Sequence, residues 1–68
     1  MMIKNRLLQI RLQKGYKKQK DFAELLGMNN TAYNLIENNR KQVTLETAID
    51  IANKLHMHVE KIFYKSSE

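Results

Sequence analysis

The sequence contains no cysteine and no proline, and only two of its 68 residues are glycine. The absence of cysteine excludes disulfide bridges and cysteine-based zinc sites, and it favours a reducing compartment, by default the cytoplasm. With no proline and so few glycines, helices joined by short turns are favoured over a sheet protein. A chain of this length is near the lower limit for a domain that has neither disulfides nor a structural metal. The sequence therefore predicts one small domain over residues 1–68.

Long apolar runs are also missing. The first residues, MMIKNRLLQIRLQK, are interrupted by Lys4, Arg6 and Arg11, so neither a signal peptide nor a membrane anchor is expected. No nucleophile–base pair or glycine-rich phosphate loop occurs, so enzyme activity and a cofactor are not expected. His56 and His58 would face different sides of a helix, and no acidic partner stands at ligand spacing, so no metal site is expected.

Negative charge is scarce in the first third of the chain. Twelve Lys and Arg against seven Asp and Glu give a net charge of +5. Residues 4–20 carry seven positive charges and no negative one, whereas residues 43–64 are close to balanced. This distribution is typical of a protein that binds a polyanion such as nucleic acid, and a merely solvated basic face would look the same.

Apolar spacing and capping residues predict five helices in a compact all-α domain. The first runs from Ile3 to a stop at Gly15, the second over residues 19–26, and the third over residues 30–38 after Asn29 as N-cap. Thr44 caps a fourth, whose apolar side chains are expected to be buried, Leu45 and Ile49 among them. The fifth covers residues 58–64, and residues 65–68 are expected to be frayed.

The third predicted helix combines poor helix formers with an apolar stripe. Its stretch NNTAYNLIENNR is rich in asparagine, which prefers turns and helix ends. At about 100° per residue, the polar residues and one leucine share one face, opposite Ala32, Tyr33 and Ile36; they are Asn30, Thr31, Asn34, Leu35 and Asn38. Only Gly27, Met28 and Asn29 separate this helix from the second, and such a turn is typical of a helix-turn-helix.

The segment QKDFAELLGMNNTAYNLIENNRKQVTLETAIDIANKLHM resembles the phage repressor and Cro-type helix-turn-helix family, also called XRE-like. The pattern of Gln, Gly, Ile-Glu-Asn and Leu-Glu-Thr carries the resemblance, which covers nearly the whole chain. It implies a five-helix, lambda-repressor-like fold in which helices two and three form the DNA-binding unit and helix three enters the major groove. It also implies a salt bridge between Arg11 and Glu37.

The resemblance assigns the DNA contacts as well. The base-reading positions are Asn30, Thr31 and Leu35, with Asn34 as a neighbouring candidate. Phosphate contacts fall on Gln19, which would also brace helix three, and on Asn38, Arg40 and Lys41. The chemistry agrees, because asparagine can bond adenine N6 and N7 together. Further lysines flank the same face, namely Lys17, Lys18 and Lys20. Leu35 could instead contact a protein partner.

These features predict a sequence-specific, double-stranded DNA-binding transcriptional regulator. The expected form is a repressor that binds a palindromic operator as a homodimer, with half-sites about 34–36 Å apart. The apolar residues around helix five are the expected dimer surface: Val59, Ile62, Phe63 and Tyr64. Two alternatives stay open: an antitoxin of a toxin–antitoxin pair, which binds both DNA and a toxin, and a protein-interaction module without DNA binding.

Overall fold

The computed structural model describes residues 2–67, and the five predicted helices are present within them. The elements in chain order are β1 (Met2–Asn5), α1 (Leu7–Gln13), α2 (Gln19–Leu25), α3 (Asn30–Glu37), α4 (Leu45–Leu55), α5 (Val59–Ile62) and β2 (Phe63–Ser66).

The expectation of a small five-helix domain is confirmed, but it missed a two-stranded antiparallel sheet formed by β1 and β2. Met2 lies opposite Ser66, and Asn5 lies opposite Phe63. The pairing joins residues about sixty positions apart, and each strand has only four residues. No local periodicity can show such a contact.

The sheet shortens two of the predicted helices. α1 begins at Leu7 rather than at Ile3, and α5 ends at Ile62 rather than at residue 64. Residues 65 and 66, which were expected to be frayed, belong to β2, and Ser66 is buried. Residue 68 lies outside the described part of the chain.

Two side-chain amides fasten β1 to the rest of the domain. The Gln42 side chain accepts a hydrogen bond from the Ile3 N–H (3.0 Å) and donates one to the Ile3 carbonyl (3.3 Å). Asn5 Oδ1 accepts from the Leu7 N–H at the start of α1, while Asn5 Nδ2 donates to the Ile36 carbonyl at 2.7 Å. The end of α3 is thereby held against the sheet.

The core is formed by apolar side chains from every helix and from β2. Its buried members are Leu7, Ile10, Phe22, Ala23, Leu26, Tyr33, Ile36, Ala48, Ile51, Ala52, Leu55, Ile62 and Phe63. The Phe22 ring packs edge-on against Tyr33, with centroids 5.6 Å apart, and joins α2 to α3. The expectation that Leu45 and Ile49 are buried is wrong: Leu45 is 74% exposed and Ile49 is 44% exposed. The apolar face of α4 is wider than the part that meets the core.

The predicted N-caps of α3 and α4 are confirmed. Asn29 Oδ1 accepts from the N–H groups of Thr31 (2.8 Å) and Ala32 (3.3 Å). Thr44 Oγ1 accepts from the Thr47 N–H at the start of α4. Asn39 follows α3 with a φ of +59°, the left-handed conformation that asparagine tolerates.

Replacing Gly27 by alanine is expected to destabilise the fold more than replacing Gly15. Both glycines have positive φ, +69° and +86°, so alanine at either position is strained by roughly 1–2 kcal/mol. A methyl group on Gly27 would also lie 2.5 Å from Lys54 Nζ, whereas Gly15 faces open space. Lys54 would have to give up its 2.8 Å hydrogen bond to the Leu26 carbonyl, which adds about 1 kcal/mol.

Urea unfolding of the Gly15→Ala and Gly27→Ala variants measures the difference. In a Lys54→Met background, the two glycine substitutions should cost the same stability. A larger cost at Gly27 that persists in that background would show that the lysine contact is not its cause.

Candidate nucleic-acid interface

α3 has one buried face and one accessible face. Tyr33 and Ile36 are buried in the core. The accessible face carries the predicted base-reading residues: Asn30 and Thr31 are exposed, and Asn34 and Leu35 are half-buried. Asn38, the first residue after α3, is exposed and donates from Nδ2 to the Asn34 carbonyl (3.0 Å). An accessible surface of short, uncharged side chains results.

A short turn, residues 26–29, separates α2 from α3. The Met28 N–H donates to the Ala23 carbonyl (2.8 Å) and the Gly27 N–H to the Glu24 carbonyl (3.0 Å), so the turn closes the end of α2. Lys54 of α4 donates to the Leu26 carbonyl. The two helices are thus held in one arrangement by backbone bonds, by α4 and by the ring contact in the core.

Arg11 and Glu37 form a buried ion pair between α1 and α3. Arg11 Nε lies 2.9 Å from Glu37 Oε1, and the two side chains are 8% and 4% exposed. Arg11 Nη1 also donates to the carbonyls of Tyr16 (3.0 Å) and Lys17 (2.7 Å). Tyr33 donates from its hydroxyl to Glu37 Oε1 at 2.7 Å. Among the described residues, every buried polar side-chain atom has a hydrogen-bond partner, so the charges are compensated.

The hydrogen bonds to Glu37 determine its ionisation. Burial raises the pKa of Glu37, but hydrogen bonds from Tyr33, Gln19 and Arg11, with the arginine charge, outweigh burial and hold the pKa below its usual value. Burial and the adjacent carboxylate raise the pKa of Tyr33 far above its usual value. Glu37 is therefore a carboxylate, and Tyr33 a neutral donor, at neutral pH.

Lowering the pH is expected to destabilise the fold, because Glu37 becomes protonated. The folded pKa lies below the unfolded value of about 4.3, so the unfolded chain takes up the proton first as the pH falls. The stabilisation that ionised Glu37 contributes is fully present above the pKa of Glu37 in the unfolded chain. It is lost as the pH falls through the pKa of Glu37 in the folded protein. A Glu37→Gln variant should be less stable at neutral pH, and its free energy of unfolding should vary less between about pH 3 and 5.

Urea unfolding at several pH values tests this expectation. Glu24→Gln, at an exposed position of α2, is the matched control and should keep the pH dependence of the wild type. A Glu37→Gln variant with an unchanged pH dependence would contradict the assignment.

Gln19 links the buried carboxylate to the accessible face of α3. Its Nε2 donates to Glu37 Oε2 at 2.6 Å, and its Oε1 accepts from Asn34 Nδ2 at 2.9 Å. The family resemblance implied that Gln19 braces α3, but not that it does so through Glu37 and Asn34. The roles of Tyr33 and Gln19 around Glu37 were missed. The four-residue spacing of Tyr33 and Glu37, which places them on one side of a helix, was an available signal for the first.

Basic side chains lie on both sides of this face in the sequence. Lys17 and Lys18 precede α2 and Lys20 lies in its first turn, whereas Arg40 and Lys41 follow α3; all five are exposed. Their backbone is fixed at two points. Arg11 holds the Lys17 carbonyl, and the N–H groups of Arg40 (2.8 Å) and Lys41 (3.2 Å) both donate to the Leu35 carbonyl. Lys18, at the N-cap of α2, has no acceptor with which to cap the helix, and its side chain is exposed to solvent.

A family model described as Helix-turn-helix, which represents the XRE type, matches residues 7–62. The chain belongs to the XRE-type helix-turn-helix family. The matched residues run from the first residue of α1 to the last residue of α5. Members are DNA-binding regulatory domains rather than enzymes. No curated protein matches the chain.

The expected dimer residues of this helix-turn-helix domain are not equally accessible. Ile62 is fully buried and Phe63 is 8% exposed, so both mainly serve the core of the protomer. Val59 is half-buried, and Tyr64 is 38% exposed, with the Arg6 guanidinium 4.3 Å from its ring centroid. A groove lies instead between β1, α4, α5, β2 and the residues that precede α4. This apolar groove is lined by Ile3, Val43, Leu45, Ala48, Val59 and Phe63, together with Thr44.

Over residues 2–67, no group of three or more His, Asp or Glu side chains is placed to hold a metal ion. No helix in the same range is long and apolar enough to cross a bilayer.

Proposed function

We propose that the protein is a sequence-specific regulator of transcription in which α2 and α3 form the helix-turn-helix and α3 enters the major groove. The observation that carries the proposal is the accessible face of α3, which presents short amide and hydroxyl side chains between two exposed basic segments. Neutral groups of this kind read base edges, while lysine and arginine bind the phosphates on either side.

Within this face, each predicted residue has a chemically suitable contact. Asparagine pairs with adenine through its donor and its acceptor, threonine can donate or place its methyl group on a thymine, and leucine can pack on a thymine methyl. Asn30, Thr31, Asn34 and Leu35 are the proposed base readers. The proposed phosphate contacts are Lys17, Lys18, Gln19, Lys20, Asn38, Arg40 and Lys41.

Homodimerisation would supply the specificity that one helix cannot. The apolar groove is the proposed contact with a second copy, because two of its apolar side chains, Leu45 and Ile3, are exposed, Leu45 by 74%. None of the groove residues is a proposed DNA contact, so both surfaces can be used at once. Bound to a palindromic operator within a promoter, such a dimer would exclude other proteins, and repression needs no further domain.

Selection of bound sequences from a random double-stranded DNA pool tests the proposed function. The expected product is a palindromic consensus whose affinity falls steeply with salt. Binding with neither sequence preference nor salt dependence would contradict it and would favour the protein-interaction module.

Sedimentation in the presence of the selected DNA tests the dimer. The wild type should sediment as two copies per operator, and Leu45→Lys, which places a charge in the groove, should yield mainly one. Lys61→Ala, on an exposed position of α5, is the control. A wild type that remains monomeric on DNA would contradict the dimer, and copurification of a second small protein would favour the antitoxin alternative.

A further inference from the structure

We propose that Glu37, acting through Gln19, determines which atoms of the Asn34 amide face the DNA, so that two residues behind the accessible face set the preference for one base pair. The inference rests on the proposed function, since it concerns how α3 reads bases. Glu37 and Gln19 are positioning residues in this account, and Asn34 makes the base contact.

The carboxylate of Glu37 can only accept hydrogen bonds when it is ionised. Glu37 Oε1 already accepts from Arg11 Nε and Tyr33 Oη. Glu37 Oε2 lies 2.6 Å from the Gln19 side chain. Only the nitrogen end of the Gln19 amide can satisfy that oxygen, because the carbonyl end would place two acceptors in contact. The lowered pKa of Glu37 keeps this condition in force at neutral pH.

The orientation of Gln19 then determines that of Asn34. With its nitrogen on Glu37, Gln19 turns Oε1 toward Asn34, at a distance of 2.9 Å. An amide oxygen needs a donor, and the only donor of the Asn34 amide is its nitrogen. The buried carboxylate is thereby connected, through two amides in sequence, to a side chain on the accessible face of α3.

The consequence is a fixed pattern of donor and acceptor on Asn34. One of its two amide hydrogens is used by Gln19, which leaves Oδ1 and the second N–H for a partner. Such a pair matches the N6 donor and N7 acceptor of adenine, whereas guanine offers two acceptors, O6 and N7. A freely rotating Asn34 amide could exchange the positions of its oxygen and nitrogen. The hydrogen bonds from Glu37 through Gln19 to Asn34, here called the relay, hold the amide in a single orientation, and that orientation favours adenine.

A DNA-free measurement tests the relay itself. In the wild type, NMR of the side-chain amides should show one Asn34 NH₂ proton shifted and protected from exchange. In Gln19→Met, which keeps the length of the side chain but removes its polar atoms, the Asn34 protons should resemble those of an exposed asparagine. Gln13→Met, at an exposed position of α1, is the control. Exposed-like Asn34 protons in the wild type would overturn the inference.

Selection from a random DNA pool tests the consequence for base reading. Asn34→Ala should remove the preference at one position of the half-site and so identify it. Gln19→Met should lower discrimination at that same position by about 5- to 150-fold and leave the preferences elsewhere intact. Thermal unfolding of each variant is measured as a control, to check that the variant is folded at the binding temperature.

Three results would overturn the inference, and they can be told apart. If Gln19→Met weakens every sequence alike, Gln19 acts only on a phosphate. If Asn34→Ala changes no position, Asn34 reads no base. If the wild type selects no sequence, the proposed function fails and the reading role with it, while the NMR measurement still decides whether the relay exists.

Discussion

Replacing Arg11 by alanine is expected to lower the free energy of unfolding by about 3–5 kcal/mol. The total free energy of unfolding of a small domain is only about 5–15 kcal/mol, so the variant should lose a large part of its stability. The cost arises because the carboxylate of Glu37 would stay buried while losing its only ionic partner among the described residues. The carbonyls of Tyr16 and Lys17 would also lose their donor, which loosens the segment leading into α2.

Thermal unfolding at neutral pH measures this effect. At about 4–8 °C per kcal/mol for a domain of this size, the expected decrease in Tm exceeds 10 °C. Lys14→Ala is the matched control, because it removes the same charge at an exposed residue that follows α1. A Tm for Arg11→Ala within 2–3 °C of that control would mean that the pair contributes little and that Glu37 is stabilised by its other donors alone.

The double substitution Arg40→Ala and Lys41→Ala is expected to weaken binding to the selected operator by on the order of 100-fold near 0.1 M salt. Each lost phosphate contact should make the slope of log K against log salt shallower by about 0.9. The loss should be uniform across DNA sequences, because phosphate contacts carry no base information. Both side chains are exposed, so the fold should be unaffected.

The matched control removes the same charge from another part of the surface. Lys61 of α5 and Lys65 of β2 are exposed and outside the proposed interface, so their double replacement by alanine should leave the salt slope nearly unchanged. Fluorescence anisotropy at four salt concentrations gives both slopes. Equal slopes for the two double variants would indicate that net charge, and not the position after α3, determines binding.

Local signals in the sequence predicted the part of the molecule that carries the proposed function. The N-cap at Asn29 and the two faces of α3 depend on neighbouring residues alone, and the structure has both of them. The pairing of Arg11 with Glu37 came from the family resemblance instead. The two residues are 26 positions apart, and no local pattern connects them.

What the sequence did not predict depends on contacts between distant segments. The strand at residues 2–5 had apolar spacing compatible with a helix, and only its pairing with β2 decides between the two. The exposure of Leu45 depends on which part of α4 the core reaches. The link from Glu37 through Gln19 to Asn34 requires three side chains from two helices to meet at hydrogen-bond distance, which spacing alone cannot specify.

Glu37 connects the stability of the domain to its proposed recognition of DNA. One carboxylate oxygen accepts from Arg11 and Tyr33 in the interior, and the other accepts from Gln19 beneath the accessible face. Substitutions among the side chains that are hydrogen-bonded to Glu37 should therefore differ in how strongly they change the free energy of unfolding and how strongly they change base preference. Arg11→Ala acts mainly on the first, and Gln19→Met mainly on the second.

An NMR titration of the protein with its selected operator tests the proposed DNA-binding surface. The largest changes in chemical shift should fall on the first turn of α2, on α3 and on residues 39–41. The side chains of Asn30, Asn34 and Asn38 should be among the most affected. Changes concentrated instead on the apolar groove, around Leu45 and Val59, with α3 unperturbed, would contradict it.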